Sequence, residues 1–338
     1  MFDVYGIGNP LMDLLVHLSD DELAQLGLSK GSMTLIHHEQ AALLQQKIQG
    51  LHLTQRCGDS TANTLSTLAL LGRKVAFVGK TGKDELGEVY TKELEGYGIT
   101  YFSFQGETKT GTCFSFITPD AERTMATYLG ACLELEAHEV PLKSLSKTKI
   151  LYLTGYQLEH PLRETAHVAL AHAKKNNIEV ALDLADTHLI KRNKVFLHEI
   201  IKEYASFVFA NEQEALALTE EHDHKAAEKI AFEGCTAIIK LGERGSIVQR
   251  GRKVYDIPAF PALVKDTTGA GDNYAAGFLH GCLEGFSLPL CGLVGSLVAA
   301  ECVQREGARL PKEEQSFLRG MIYDLVKKYT KKNGGERM

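Results

Sequence analysis

Short apolar runs alternate with longer amphipathic ones along most of this chain. Phe2-Asp3-Val4-Tyr5-Gly6-Ile7-Gly8 reads as a first strand whose glycines let the chain turn off a sheet edge, and polar Asn9 and Asp13 lie just beyond it. Residues 14–36 break the pattern. A short acidic helix at 20–26 and the strand-like Ser32-Met33-Thr34-Leu35-Ile36 suggest part of an appended small sheet. Small and apolar residues recur at helical spacing over 61–71, Gly72 stops that helix, and Val75-Ala76-Phe77-Val78 follows as a strand. Two β-prone runs, 112–117 and 123–128, flank the turn Thr118-Pro119-Asp120-Ala121-Glu122 and predict a hairpin belonging with the small sheet.

From about residue 149 the alternation is regular. Strands at 150–154, 180–183, 207–210, 237–240 and 246–249 are separated by helices around 163–175 and 195–204 and by one from Glu212. Short apolar strands between amphipathic helices imply an α/β fold with a mostly parallel sheet covered on both faces. Ligands in such folds bind beyond the carboxyl ends of the strands. No internal repeat or low-complexity tract interrupts the series.

Composition narrows the function. With 338 residues, 44% hydrophobic and 24% charged, the chain can bury a sizeable core, and no Ser/Gly/Pro-rich linker divides it. A net charge of −6 with scattered Lys and Arg leaves no basic stripe for a phosphate backbone, so nucleic acid is not the expected partner. The basic run at 327–332 reads as a solvated helix end. Seven cysteines form no Cys-x-x-Cys pair and read as reduced core residues of a cytoplasmic protein rather than zinc ligands or disulfides. The N-terminus lacks the charged and apolar regions of a secretory signal. The apolar stretch 288–300 is too short to span a bilayer and predicts a buried helix, so no membrane partner is expected.

The run Asp266-Thr267-Thr268-Gly269-Ala270-Gly271-Asp272 precedes a helical segment at 273–283. A helix starting at the glycines offers unpaired N–H groups and its positive dipole end to an anion, with Gly269 and Gly271 allowing close backbone approach. Bound phosphate would repel the Asp272 carboxylate unless that group had work there. Taking the proton from an attacking hydroxyl is such work; complementing the helix dipole is the alternative.

The run resembles the signature of the PfkB, or ribokinase-like, family of carbohydrate and nucleoside kinases. Three further segments resemble family motifs in the same order: Gly8-Asn9-Pro10-Leu11-Met12-Asp13, Gly58-Asp59-Ser60-Thr61-Ala62-Asn63, and Asn211-Glu212-Gln213-Glu214. The resemblance covers nearly the whole chain as one kinase domain of residues 1–338, with a small β lid from about 14–37 and 99–129. It implies that Asn9, Asp13, Gly58, Asp59 and Asn63 bind the acceptor, and that Asn211 and Glu214 organise magnesium and phosphate through water. Gly269, Ala270 and Gly271 would form an anion hole beside the base Asp272, next to Thr267, with Arg123 as a lid arginine over the transferring group. The cofactors implied are ATP and Mg2+, with a monovalent cation as a further candidate.

Two segments depart from the family pattern. Asp59 stands where a second glycine is usual, and Lys240-Leu241-Gly242-Glu243-Arg244-Gly245 replaces a Thr-x-Gly-x-x-Gly nucleotide segment. Lys240 reaches either ATP phosphates or solvent on this reading, while Gly242 and Gly245 would approach the nucleotide. Gly79-Lys80-Thr81 is not a Walker A loop, because Lys74 occupies the position of its first glycine; residues 79–87 resemble the family's substrate-side wall. Residues 122–132 and 210–214 resemble the adenosine-kinase-like branch, which implies a nucleoside acceptor, with a free pentose or ketohexose as the alternative and a non-catalytic sugar- or nucleoside-binding protein as the second. Tyr128 is a candidate for stacking a base or for filling the lid's apolar face. His222 and His224 read as an exposed loop. A monomer and a lid-mediated homodimer are both compatible with the sequence.

Overall fold

The computed structural model describes residues 1–120 and 122–332 and contains two sheets. Nine strands form the larger, in spatial order Lys253–Ile257, Ser246–Arg250, Thr236–Lys240, Phe207–Asn211, Glu179–Asp183, Thr148–Thr154, Phe2–Ile7, Val75–Thr81 and Thr100–Gln105. All neighbours pair in parallel except the last hairpin turns, where Ser246–Arg250 runs antiparallel to both its partners. The α/β arrangement with a mostly parallel sheet, expected from the alternation noted above, is present. Its central strands are apolar on both sides because helices cover both faces.

Side-chain alternation divides the core in two. Tyr5, Ile7, Leu151 and Leu153 face one cluster with the helix Arg163–Lys175, while Val4, Ile150 and Tyr152 face the other with Phe278 of the helix Ala270–Leu283. The helix Leu288–Cys302 is buried against Ala270–Leu283 and is not long and apolar enough to cross a membrane. The basic run at 327–332 forms the end of the helix Gln315–Lys332.

The smaller sheet has five strands in the order Met33–Leu35, Arg123–Tyr128, Gly111–Ile117, Leu11–His17 and Leu53–Cys57. The expected hairpin is present as the antiparallel pair Gly111–Ile117 and Arg123–Tyr128, although Ala121 of its turn lies outside the described residues. The expected lid range is corrected at two points. Leu53–Cys57, which carries three exposed polar residues and little apolar pattern, adds an edge strand. Thr100–Gln105 instead pairs with Val75–Thr81 in the larger sheet.

Of the two readings open for Tyr128, the structure has the apolar filling: the residue is 9% exposed, packs in the small sheet's own apolar cluster, and meets the His38 ring edge-on at 5.7 Å. His222 and His224 are both exposed, as expected, but only His222 lies outside regular structure; His224 belongs to the first turn of the helix Asp223–Ala231.

Candidate active site

Parallel strands end on one edge of the larger sheet, so the first polar residues past their carboxyl ends converge there. Asn9 follows Phe2–Ile7, and Asp183, Asn211 and Lys240 close their own strands, with Asn211 paired in register with Lys240. The helix Ala270–Leu283 starts beside them at Gly269, whose φ of +76° is the left-handed conformation glycine adopts without strain. No side chain caps this helix. The Ala270 N–H reaches the Thr267 carbonyl at 3.2 Å and the Asn273 N–H reaches that of Gly269 at 2.9 Å, while those of Gly271 and Asp272 have no partner among the described residues. These are donors for an anion.

The loop before the helix is held by its own first residue. One oxygen of Asp266 accepts from the Thr268 N–H at 2.9 Å and the Thr268 hydroxyl at 2.6 Å, and the other from the Gly307 N–H at 2.9 Å. Thr267 is exposed, with its carbonyl used in the helix start.

Asp272 accepts a 2.9 Å hydrogen bond from Asn63 Nδ2 and keeps partial exposure to solvent. Burial pushes its carboxyl up to about 7; the Asn63 bond and Lys240 pull the other way, and the carboxylates of Asp183 and Asp59 add to the rise. A carboxyl with that value changes protonation near neutrality.

Lys240 does not point to solvent. Its Nζ donates to Asp183 Oδ2 at 2.8 Å and lies over Gly271, where a Cβ would come within 3.0 Å of it. Burial disfavours its charge, but Asp183 and Glu214 outweigh that and raise its pKa. The ammonium therefore faces the open end of the glycine loop. Glu214 and Asn211 form a reciprocal cap at the helix Glu212–Thr219: the Asn211 N–H and Nδ2 donate to the two carboxylate oxygens at 2.8 and 2.7 Å, and the Glu214 N–H donates back to Asn211 Oδ1 at 2.8 Å. Burial raises the Glu214 pKa against the pull of Lys240.

From the smaller sheet, Asp13 stands on Leu11–His17, its carboxyl pushed up to about 6 by burial while Arg123 and Arg309 hold it down. Gly58 makes room for it, since a Cβ there would lie 2.9 Å from Asp13 Oδ2. Asn9 is buried, and its Oδ1 has no hydrogen-bond partner, a group ready for a ligand donor. Asp59 has a φ of +81°, which explains why glycine suits that position; here the carboxylate compensates by capping the helix Ser60–Leu70, accepting from the Ala62 N–H at 3.0 Å. Arg123 crosses from the smaller sheet to donate to Thr268 Oγ1 at 3.2 Å, within the glycine loop's approach.

Gly242 and Gly245 lie in the turn after Lys240, both at positive φ, and a Cβ on Gly245 would come within 1.9 Å of the Ile257 carbonyl. Packing against the neighbouring strand alone thus requires Gly245. Three residues escaped the sequence reading. Asp183 carried a faint signal, an acid ending a buried parallel strand. Asn273, fully buried between Thr67 Oγ1, the Gly269 carbonyl and the Ala308 carbonyl, and Arg309, which donates to Asn63 and the Gly58 carbonyl, carried none.

Residues 26–315 match the pfkB family carbohydrate kinases. A probable sugar kinase from Rhizobium etli CFN 42 superposes with a TM-score of 0.85 at 32% identity, covering 95% of this chain and 99% of that one. The adenosine kinase from Sinorhizobium meliloti superposes with a TM-score of 0.84 at 34% identity, covering 96% and 99%. The 5-dehydro-2-deoxygluconokinase of Clostridium botulinum (strain Eklund 17B / Type B) is 30% identical over 264 residues, 73% of this chain and 78% of that protein. The chain belongs to the pfkB family of sugar and nucleoside kinases, phosphotransferases that use ATP and an alcohol group as acceptor.

Proposed function

We propose that this kinase phosphorylates the hydroxymethyl group of a ribose-containing nucleoside such as adenosine, on its 5′-OH. The observation that carries the reading is the meeting at one helix start of an anion cradle, the Lys240 ammonium and the Asp272 carboxylate, with Asp13 and the unpartnered Asn9 Oδ1 on the acceptor side. Asp13 and Asn9 hold the ribose hydroxyls. The Asp272 carboxylate takes the proton of the acceptor hydroxyl as its oxygen attacks the γ-phosphorus in line, and the bond to the β-γ bridging oxygen breaks to release ADP. The loop N–H groups, Lys240 and Arg123 neutralise charge on the transferring group, and the smaller sheet acts as the lid that excludes water.

Among the described residues no three candidate ligands converge on a metal position, and both Glu214 oxygens are already engaged by Asn211. That fits magnesium held through its waters, with Glu214 as an outer partner and charge neutralisation of the phosphates as its contribution. Seven free thiols, six of them buried, fit a reducing, ATP-supplied compartment, the cytoplasm.

The nucleoside acceptor is supported by the 34% identity to an adenosine kinase over nearly the whole chain. A free sugar is the second reading, favoured by the 30% identity to a 5-dehydro-2-deoxygluconokinase. ATP consumption with a panel of nucleosides and sugars separates the two, and strong turnover of ribose or fructose with none of adenosine, inosine or guanosine overturns the first. Asp272→Asn should lower turnover about 10²- to 10⁴-fold with the best acceptor; unchanged turnover means Asp272 is not the base.

A further inference from the structure

The segment 307–309 touches the glycine loop, the helix behind it and the Asn63–Gly58 side of the site in succession. The Gly307 N–H binds Asp266, the Ala308 carbonyl accepts from Asn273 Nδ2 at 2.8 Å, and Arg309 turns inward. Its side chain is 7% exposed, and the guanidinium donates from three nitrogens: Nε to Asn63 Oδ1 at 3.0 Å, Nη2 to the Gly58 carbonyl at 3.0 Å and Nη1 to Glu93 Oε1 at 2.6 Å.

One elementary fact gives this geometry its meaning. A guanidinium has donors and no acceptor, so the face of the Asn63 amide turned toward it must be the oxygen. The opposite face, turned toward Asp272, must then be the NH2 group, as the 2.9 Å contact requires of a partner to a carboxylate. Remove the guanidinium and the two amide faces become nearly equivalent in shape. The flipped amide would point its oxygen at the carboxylate. Gly58 in turn is the residue whose missing side chain admits the Asp13 carboxylate, so Arg309 also fixes the backbone behind the acceptor anchor.

We propose that Arg309 is a positioning residue for phosphoryl transfer: it locks the Asn63 amide with its nitrogen toward Asp272 and holds the Gly58 carbonyl behind Asp13, so that one side chain registers base and acceptor. The inference rests on the reading of Asp272 as the base. Besides Asn63, the charged groups facing Asp272 are Asp183, Lys240 and Asp59, and none of them is a hydrogen-bond partner of Arg309.

The test compares Arg309→Gln, Arg309→Lys and Glu93→Gln with wild type across pH 5–9 using saturating ATP. A glutamine side chain presents either an oxygen or a nitrogen and so cannot dictate the amide's orientation. Arg309→Gln should lower kcat by about 10- to 100-fold, as misplacement of reacting groups does. It should move the acidic limb of the kcat profile upward by about one pH unit, because Asp272 loses a bond that favours its ionised form. Its KM for the acceptor should rise and that for ATP should hold. Arg309→Lys, a compact donor that cannot span all three acceptors, should recover part of kcat with a smaller limb shift. Glu93→Gln keeps the bonds to Asn63 and Gly58 and should leave the limb in place.

A wild-type limb in Arg309→Gln, whatever happens to its stability, overturns the proposal. If Arg309→Gln does not fold, Asn63→Asp replaces the donor to Asp272 with a second carboxylate while keeping an acceptor for Arg309, and it must move the limb upward too; an unmoved limb there overturns the proposal equally. Asp272→Asn distinguishes the levels. Retained turnover in that variant sinks the base assignment itself, whereas lost turnover alongside an unshifted Arg309→Gln profile sinks only the role of Arg309.

Discussion

Two glycines in the same loop should respond to alanine in opposite ways. At Gly269 the backbone φ of +76° penalises any Cβ, and the added methyl carbon would lie 2.5 Å from Ala308 Cα and 2.8 Å from the Ala308 carbonyl oxygen. Left-handed strain of about 1–2 kcal/mol and overpacking of about 1–3 kcal/mol together give a loss of about 2–5 kcal/mol. For a chain of this length that is roughly 4–10 °C in melting temperature, taking the lower end of the usual conversion. At Gly271 φ is ordinary, and the nearest atom to the added carbon is the mobile end of a side chain, Lys240 Nζ at 3.0 Å. Gly271→Ala should therefore melt within about 2 °C of wild type, yet lose about tenfold or more in kcat because the ammonium moves off the anion cradle. Scanning calorimetry paired with steady-state kinetics reads both. Equal melting temperatures for Gly269→Ala and wild type would refute the clash with Ala308. A full kcat in Gly271→Ala would refute the placement of Lys240 as a phosphate contact.

The remaining expectations concern titration and capping. With Asp272 held up at about 7, kcat should climb about tenfold per pH unit below neutrality and level off above it, and a profile flat from pH 5 to 8 would remove the carboxyl from the rate-determining protonation. The same shift sets a stability dependence. The folded state binds this proton more tightly than the unfolded chain, whose aspartates titrate near about 3.9, so stability is lost as pH rises from about 4 to about 7. Asp272→Asn, which cannot ionise, should melt above wild type at pH 8 and level with it at pH 4; the same difference at both values would contradict the sign. Asn211→Ala removes the reciprocal cap with Glu214 and should lower the urea midpoint by about 1 kcal/mol equivalent, with no change expected for a merely solvent-facing pair.

What the sequence disclosed divides by the range of the interaction. The glycine loop, the strand–helix alternation after residue 149 and the helix Arg163–Lys175 are written in local period and turn chemistry, and the helix appears with those bounds. Leu53–Cys57 escaped because only Cys57 of its five residues is buried, leaving no apolar alternation to read. The helix Thr187–Tyr204 begins eight residues before the expected 195, because Asp186 caps it and a kink at Asn193 interrupts the apolar spacing. Asp59 was legible as a departure from the expected glycine, but its φ and its cap were not. Arg309 was the least visible. Its meaning lies in Asn63, Gly58 and Glu93, all more than two hundred positions away, and nothing in Gly307-Ala308-Arg309 hints at them.

The first strand, Phe2–Ile7, occupies the interior of the larger sheet between Val75–Thr81 and Thr148–Thr154. During synthesis it emerges with neither neighbour yet made. At about 5–20 residues per second, its second partner is completed roughly 7–30 s after it appears. For that interval a fully apolar segment, Val4-Tyr5-Gly6-Ile7, has an open edge. Nascent chains of this protein should therefore be clients of holding chaperones until residue 154 has cleared the ribosome, and yield in a foreign host should respond to translation speed between residues 7 and 154.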